Sequence, residues 1–181
     1  GKFSVFNRSH YENVLVTRVN PEFLLGERHP EIQKVDDITD QFWQDRFDSI
    51  RNFEKHCSRN GIIILKFYLH LSKDEQRKRL LRRIDEGKNN WKFDPSDVRD
   101  RKLWDAYMDC YERAFQETSK EYAPWYIIPA DNKAQCRVIV AQTILDTLKN
   151  YQDMQYPMLS PEIQDKLMEY REMLISDDGM K

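Results

Sequence analysis

Apolar residues recur at helical spacing in the middle of the chain, from residue 40 onward. A stripe at intervals of three and four residues predicts an amphipathic helix over Asp40–Arg59, with an inward face of Phe42, Trp43, Phe47, Ile50 and Phe53. Asn60-Gly61 is predicted to end this helix, since glycine accepts the left-handed backbone that commonly follows a helix. A large share of the chain is therefore expected to be helical.

Polar residues that cap helices mark further helix starts. Ser9 with Glu12 predicts a short helix over His10–Val16, and Thr17–Asp37 is then expected to be a loop. The other predicted helices run from Ser72 to about Glu86, from Asp94-Pro95 to Thr118 with a possible break, from an Asp131 cap to about Lys149, and over Pro161–Leu174. The helix after Asp131 is expected to turn inward Val138, Ile139, Ile144, Leu145 and Leu148.

Three short segments have the composition of strands. Lys2–Phe6 is predicted to be a strand, Ile62–Leu69 is almost continuously apolar, and Trp125–Pro129 is aromatic and β-branched. A continuous apolar strand after an amphipathic helix is typical of the centre of a parallel sheet covered on both faces. The predicted class is therefore α/β, with a helical insertion between the last two strands.

Charge is unevenly distributed along the sequence. The 181 residues carry 29 basic and 31 acidic side chains, a balance that argues against a general nucleic-acid or membrane binder. Residues 77–102 nevertheless contain ten basic and five acidic residues, a local net charge of +5. A confined basic zone on an acidic protein favours one anionic ligand site.

The spacing of the glycines and cysteines argues against several other kinds of site. The five glycines lie far apart, so the chain has no glycine-rich loop of its own to hold a phosphate. The three cysteines show no metal or disulfide spacing and favour a reducing, cytoplasmic setting. The four histidines show no metal-ligand spacing, and the longest apolar run is too short to span a membrane.

The helix predicted after Ser72 carries three arginines that can be read in two ways. Arg79, Arg82 and Arg83 are predicted on the side opposite Leu80, Leu81 and Ile84. Guanidinium groups bind phosphate oxygens in pairs, so one interpretation is a phosphate clamp. The other is an ordinary solvated face.

Three other motifs also leave two interpretations open. Asn7-Arg8-Ser9 follows a predicted strand, where it could bind phosphate and a hydrated metal ion or simply cap a helix. The turn after Trp125–Pro129 could line a nucleotide pocket or merely reverse the chain. An aromatic series could be core packing or a base-stacking surface, and comprises Trp91, Phe93, Trp104, Tyr107, Tyr111 and Phe115.

Four ordered blocks of sequence resemble the family-2 polyphosphate kinases. They are residues 6–16 (FNRSHYENVLV), 67–76 (FYLHLSKDEQ), 90–97 (NWKFDPSD) and 123–133 (APWYIIPADNK). The resemblance implies a P-loop kinase-like fold with a three-layer parallel sheet and a helical lid insertion, of which the N-terminal portion is missing. It divides the chain into residues 1–156, the C-terminal two-thirds of that domain with a lid at about 72–123, and residues 157–181, a linker and helix.

The resemblance also implies an activity and its residues. The family moves a phosphoryl group between inorganic polyphosphate and ADP, AMP, GDP or GMP with Mg²⁺, and members often form homo-oligomers. Arg8 would be catalytic and Asn7 would bind substrate and, through water, the metal, although the family often has Asp at that position. The lid would bind polyphosphate through Arg79, Arg82, Arg83, Lys88 and Lys92.

The family's phosphate loop is expected ahead of the first residue, so this chain alone is predicted to be inactive. Two alternatives remain, a non-catalytic module that binds polyanions and a structural remnant that needs a partner to complete its sheet.

Overall fold

The computed structural model describes residues 2–151 and 157–177, which are mainly helical. Among these residues the α-helices are α1 (Val16–Val19), α2 (Phe23–Gly26), α3 (Asp40–Arg59), α4 (Lys73–Asp85), α5 (Pro95–Lys102), α6 (Trp104–Thr118), α7 (Lys133–Leu148), α8 (Pro161–Asp165) and α9 (Leu167–Asp177). Short 3₁₀ helices cover His10–Val14, Val35–Asp37 and Gly87–Lys92, and the strands are β1 (Lys66–His70) and β2 (Trp125–Pro129).

The two strands pair in parallel and confirm the α/β class. Lys66 lies opposite Trp125 and His70 opposite Pro129. Helices α4, α5 and α6 form the connection between them, as expected for the predicted insertion. Because the strands are parallel, their carboxyl ends lie at the same edge of the sheet.

Two of the strand predictions are wrong within the described residues. Lys2–Phe6 forms no strand, and Phe3, Val5 and Phe6 are 70%, 80% and 78% exposed. The apolar run at Ile62–Leu69 pairs only from Lys66 onward, because the chain ahead of β2 turns back on itself through a bridge between Lys120 and Ala123. The sheet is also not covered on both faces, since Leu69 is 52% exposed.

Helix α3 has the predicted bounds and supplies much of the core. Thr39 caps it by accepting a hydrogen bond from the Phe42 N–H, and Gly61 follows it with a φ of +81°. Trp43, Phe47 and Ile50 are buried as predicted, whereas Phe53 is exposed. The main core cluster joins this helix to the first 3₁₀ helix and α6 through Tyr11, Val14, Leu15, Phe47, Ile50, Cys110 and Ala114.

Several helix boundaries differ from the predictions. The predicted helix at His10–Val16 is a 3₁₀ helix followed by α1, and the predicted loop at Thr17–Asp37 contains α1 and α2. The possible break after Asp94 lies at Leu103, between α5 and α6. Helix α7 is capped by Asn132, whose Oδ1 accepts from the N–H groups of Ala134 and Gln135, and not by Asp131. Val138 and Leu145 on α7 face solvent instead of the core.

Residues 148–177 separate from residues 2–147 as a second compact unit. Its helices α8 and α9 occupy the segment predicted as one helix over Pro161–Leu174. The predicted domain boundary at residue 156 lies outside the described residues. No described helix is both long enough and apolar enough to cross a bilayer.

Candidate functional site

The carboxyl edge of the sheet brings two helix starts together. The His70 carbonyl at the end of β1 accepts from the Ala130 N–H just after β2, at 3.0 Å. The Asp131 carboxylate then accepts from the Ser72 N–H at 2.8 Å, and this hydrogen bond, together with one from the Ser72 side chain, lowers the pKa of Asp131. The turn after β2, one of the predicted pocket segments, therefore anchors the start of α4.

Arg79 reinforces this anchor from within α4. Its Nε donates to Glu75 at 2.8 Å, and its Nη2 donates to the carbonyls of Ala130 and Asp131 at 2.9 and 3.0 Å. The side chain is 23% exposed. Arg79 thus joins the insertion to the sheet through bonds within the protein.

Arg83 and Arg101 link α4 to α5. The Arg83 guanidinium lies 3.0 Å from the Asp97 carboxylate, and Arg101 donates to the Lys73 carbonyl at 2.7 Å and to the Gln76 side chain at 2.8 Å. The turn between the helices is held by Asn90, which donates to the carbonyls of Arg83 and Ile84. Helix α4, the 3₁₀ helix Gly87–Lys92 and α5 are therefore tied to one another.

The arginines of α4 do not all lie on the predicted outer face. Arg79 and Arg83 are half-buried with Leu80, whereas Leu81 and Ile84 are 48% and 47% exposed. The predicted inward face of Leu80, Leu81 and Ile84 is therefore wrong for its last two members. The physical reason is that the carbonyls and carboxylate that accept from Arg79 and Arg83 lie on that inner side.

The remaining predicted lid cations point outward. Arg82 is exposed and has no ion-pair or hydrogen-bond partner in the part of the chain that the structure describes. Lys88 is 81% exposed, with Glu86 at 3.8 Å, and the Lys92 ammonium lies 5.1 Å from the centre of the exposed Trp91 ring. These three residues, Arg82, Lys88 and Lys92, form the lid cation surface.

Asn7-Arg8-Ser9 forms a bend directly before the first 3₁₀ helix. The Ser9 hydroxyl caps that helix by accepting from the Tyr11 N–H at 3.3 Å. Asn7 is exposed, and the Arg8 side chain is 83% exposed with its Nε 3.9 Å from Glu12. The capping role is confirmed, and it leaves the guanidinium free to contact a ligand.

A buried ionic cluster lies behind this bend. The Lys66 ammonium donates to Glu54 Oε2 at 2.7 Å, to Tyr11 Oη at 2.8 Å and to the Thr118 carbonyl at 2.9 Å. The Tyr11 hydroxyl in turn donates to Glu54 Oε1 at 2.8 Å. We call Tyr11, Glu54 and Lys66 the buried triad; their relative exposures are 4%, 1% and 8%.

The surroundings of the triad shift the pKa values of its members. Burial raises the pKa of Tyr11 and, acting alone, would raise that of Glu54. Hydrogen bonds from His10, Lys66 and Tyr11, with the charge of Lys66, outweigh burial and lower the pKa of Glu54. Burial lowers the pKa of Lys66, and Glu54 offsets part of that effect. Three acceptors around one ammonium match its three N–H donors, so the site fits protonated lysine.

Part of the aromatic series lines a groove beside the bend. A cavity of about 250 Å³ is lined by Tyr68, His70, Met108, Tyr111, Glu112, Phe115 and Ile127. Burial raises the pKa of Tyr111 to about 12, while the charge of Arg8 acts in the opposite direction, which indicates that Arg8 lies near this groove. The aromatic rings of Tyr111 and Phe115 pack against the ring of Tyr68, whereas Trp91 is 79% exposed. The series is therefore divided between packing and surface.

The triad is not among the site residues predicted from the sequence, although the sequence contains a signal for a buried ion pair. Glu54 continues the inward stripe of α3 formed by Trp43, Phe47 and Ile50, and Lys66 is the single charge in an apolar run. Opposite charges at two positions that both predict burial indicate a buried pair.

The comparisons with known proteins agree on one family. The family model for "Polyphosphate kinase 2 (PPK2)" matches residues 1–156. The ADP-polyphosphate phosphotransferase of Rhodopseudomonas palustris is 47% identical over 175 residues, which cover 97% of this chain and 59% of that protein. The AMP/ADP-polyphosphate phosphotransferase of Meiothermus ruber is 45% identical over 157 residues, covering 87% and 53%.

A solved structure gives the same result in three dimensions. The crystal structure of polyphosphate kinase 2 from Arthrobacter aurescens matches with a TM-score of 0.74 at 35% identity, over 91% of this chain and 53% of that chain. The chain therefore spans a little over half the length of these relatives. Since the family model covers most of the chain and the fold agrees, the chain belongs to the polyphosphate kinase 2 family.

Proposed function

We propose that the full-length protein transfers a phosphoryl group between inorganic polyphosphate and a nucleoside mono- or diphosphate. Family membership supports this, and so do relatives whose names specify polyphosphate with ADP or with AMP and ADP. The proposed acceptors are ADP and AMP, with GDP and GMP as further candidates. A non-catalytic polyanion-binding module is the alternative that the same basic residues would permit.

The observation that carries the proposal is the exposed Arg8 guanidinium on an anchored bend. Arg8 is 83% exposed, yet the next residue caps a helix whose Tyr11 is buried. A guanidinium offers a fixed fork of donors, which can bind two oxygens as negative charge spreads over a transferring phosphoryl group. We assign Arg8 the catalytic role and Asn7 a substrate contact.

The lid residues would bind the polyphosphate chain. Arg82, Lys88 and Lys92 are the exposed members, so they can reach a polyanion without breaking buried bonds. Arg79 and Arg83 are half-buried and already paired, and their contribution to substrate binding would come with a rearrangement of those pairs. The proposed lid extends over residues 72–123.

The described residues contain no cluster of side chains that would form a complete Mg²⁺ site. No group of three or more His, Cys, Asp or Glu side chains that could hold a metal occurs within residues 2–151 and 157–177. Asn7 supplies one amide oxygen, whereas Mg²⁺ is usually held by one or two carboxylates with substrate phosphates and water. We propose Mg²⁺ as the metal of the full-length protein, with Asn7 contacting it through water.

The remaining expectations are also part of the proposal. We propose a P-loop kinase-like fold with a three-layer sheet, in which residues 1–156 form part of the phosphotransferase domain and 157–181 a linker and helix. The exposed apolar residues of α9, among them Met168 and Leu174, support a homo-oligomer. Three free thiols, Cys57, Cys110 and Cys136, support a cytoplasmic setting.

Substitution of Arg8 by lysine in the full-length protein tests the proposal. Lysine keeps the charge but loses the fork, so we expect phosphoryl transfer from polyphosphate to ADP or AMP to fall about 100-fold, the scale of one preorganised donor. The melting temperature should not change, because the side chain is exposed. The matched control is Arg59→Lys, at another exposed arginine, which should keep full activity.

Two results would contradict the proposal. Wild-type protein that binds polyphosphate but transfers no phosphoryl group would favour the non-catalytic alternative. An Arg8→Lys variant that keeps its activity per folded molecule while its melting temperature falls would reduce Arg8 to a structural role.

A further inference from the structure

The buried triad connects four separate segments of the chain. Tyr11 lies in the first 3₁₀ helix, Glu54 in α3 and Lys66 at the start of β1, and the Thr118 carbonyl that Lys66 contacts ends α6. Trp125 at the start of β2 joins the same cluster, since its Nε1 donates to the Thr118 hydroxyl at 3.0 Å. The first 3₁₀ helix is thus tied to both strands of the sheet.

The triad reaches Arg8 through a short path. Tyr11 donates its backbone N–H to the Ser9 hydroxyl, and Glu12 donates its N–H to the Ser9 carbonyl at 3.1 Å. Arg8 precedes Ser9 directly and is itself 83% exposed. Tyr11 and Glu12 therefore hold the end of the bend that contains Ser9.

Directed hydrogen bonds fix this segment more tightly than apolar packing would. The Tyr11 hydroxyl accepts from Lys66 and donates to Glu54, so both its position and its direction are set. Apolar burial is proportional to area and has no direction. A catalytic group displaced by about 1 Å can lose about 100-fold in rate.

We propose that Tyr11, Glu54 and Lys66 are positioning residues that hold the Asn7-Arg8-Ser9 bend in its catalytic geometry. This inference rests on the proposed role of Arg8. In this proposal the triad touches no substrate and acts on the bend through the 3₁₀ helix His10–Val14.

An all-apolar replacement separates positioning from stability. The variant Tyr11→Phe/Glu54→Leu/Lys66→Met keeps the buried volume but removes every directed bond within the triad. Buried ion pairs replaced by apolar groups of similar size often leave a protein equally stable or more stable. Tyr11→Phe alone serves as the milder variant if the triple variant does not fold. The matched control is Thr143→Val, which removes a half-buried hydroxyl that donates to the Ile139 carbonyl at 2.9 Å on α7, outside both the lid and the path to Arg8.

Two measurements decide the outcome. In the full-length protein we expect kcat of the triad variant to fall about 100-fold, while KM for polyphosphate and nucleotide changes by less than about threefold. In the 181-residue chain we expect amide hydrogen exchange at Tyr11, Glu12 and Leu15 to speed up at least about tenfold, with α7 unchanged. The control should leave both quantities at their wild-type values.

The results separate this inference from the proposed function. Wild-type kcat in the triad variant, or a kcat loss without faster exchange at residues 11–15, would overturn the positioning role and leave the proposed function intact. A loss of rate that merely follows the folded fraction would overturn it as well. If the wild-type full-length protein transfers no phosphoryl group, the proposed function fails, and with it the catalytic part of this inference, whatever the exchange rates show.

Discussion

The buried triad and the lid cation surface use positive charge in opposite ways. Lys66 is 8% exposed and its three N–H groups meet three acceptors, whereas Lys88 is 81% exposed with its nearest carboxylate at 3.8 Å. A charge removed from water must find partners in the protein, while an exposed charge remains available to a ligand. The number of cations in a sequence therefore does not tell how many can bind an anion.

Helix α4 contains both paired and free cations within the five residues from Arg79 to Arg83. Arg79 and Arg83 face the protein and are paired, whereas Arg82 between them faces solvent. The long arginine side chain permits this, since its methylene groups pack while its guanidinium reaches an acceptor. The comparison predicts that substitutions at paired cations will change stability, and that substitutions at free cations will change ligand binding.

The largest effect is expected when the triad loses its cation alone. Lys66→Met leaves the Glu54 carboxylate buried without its main counter-charge, so we expect the free energy of unfolding to fall by about 3–5 kcal/mol. Urea denaturation of the 181-residue chain at pH 7 measures this. A loss below about 1 kcal/mol would show that Lys66 behaves like a surface lysine and would remove the contrast with the lid.

The pH dependence of stability serves as the control for the Lys66→Met variant. The pKa of Glu54 is lowered in the folded protein, so its contribution to stability is present above the ordinary value of 4.5 and is lost as the pH falls through the folded pKa. Lys66→Met removes the hydrogen bond and the charge of Lys66 that lower the pKa of Glu54, so we expect burial to raise that pKa in the variant and protonation to relieve the buried charge. The difference in stability between wild type and variant is therefore expected to start shrinking above pH 4.5, as the variant's Glu54 takes up a proton, and to shrink further as the pH falls through the lowered pKa of Glu54 in the wild type.

A smaller effect is expected at the base of the insertion. Arg79→Ala removes donors from the Ala130 and Asp131 carbonyls and from Glu75, and bonds of charged groups contribute about 1.5–3 kcal/mol. Arg82→Ala, three residues along the same helix, should change the free energy of unfolding by less than about 0.5 kcal/mol. Thermal and urea denaturation of the pair measure the difference, and equal losses in both would contradict the assignment of Arg79 as an anchor.

The fold was predictable where the local signal was strong. The bounds of α3, the Thr118 end of α6 and the Trp125–Pro129 strand match the structure because periodicity, caps and β-branched composition agree there. Lys2–Phe6 has strand composition but no strand, because a strand also needs a neighbour to accept its hydrogen bonds. Sequence composition contains no information on that neighbour.

The site was predictable only in part, for a related reason. The sequence identified the cap at Ser9 and the basic zone, which are local features. The division of α4 into paired and free arginines depends on the Ala130 carbonyl and Asp97, far along the chain, and three apolar residues were too weak a signal to orient the helix. The triad depends on contacts of Tyr11 with residues 43 and 55 positions away.

The smallest expected effect concerns the lid cation surface and is confined to binding. Neutralising it with Arg82→Gln/Lys88→Gln/Lys92→Gln should weaken polyphosphate binding by the 181-residue chain about tenfold at low salt, since three exposed charges each contribute modestly. The difference should nearly vanish at high salt, where such charges are screened. Stability should stay within about 0.5 kcal/mol of wild type.

The matched control for this last variant removes the same charge elsewhere. Arg28, Lys55 and Arg59 are exposed cations outside the lid, and their triple replacement by glutamine changes the net charge by the same amount. Titration with polyphosphate at several salt concentrations compares the two variants. An equal loss of affinity in both would mean that polyphosphate responds to overall charge, because local recognition requires the lid cations to contribute more than cations placed elsewhere on the surface. A greater loss in the lid variant, with unchanged stability, would show that free cations bind the ligand while the paired cations of α4 hold the fold.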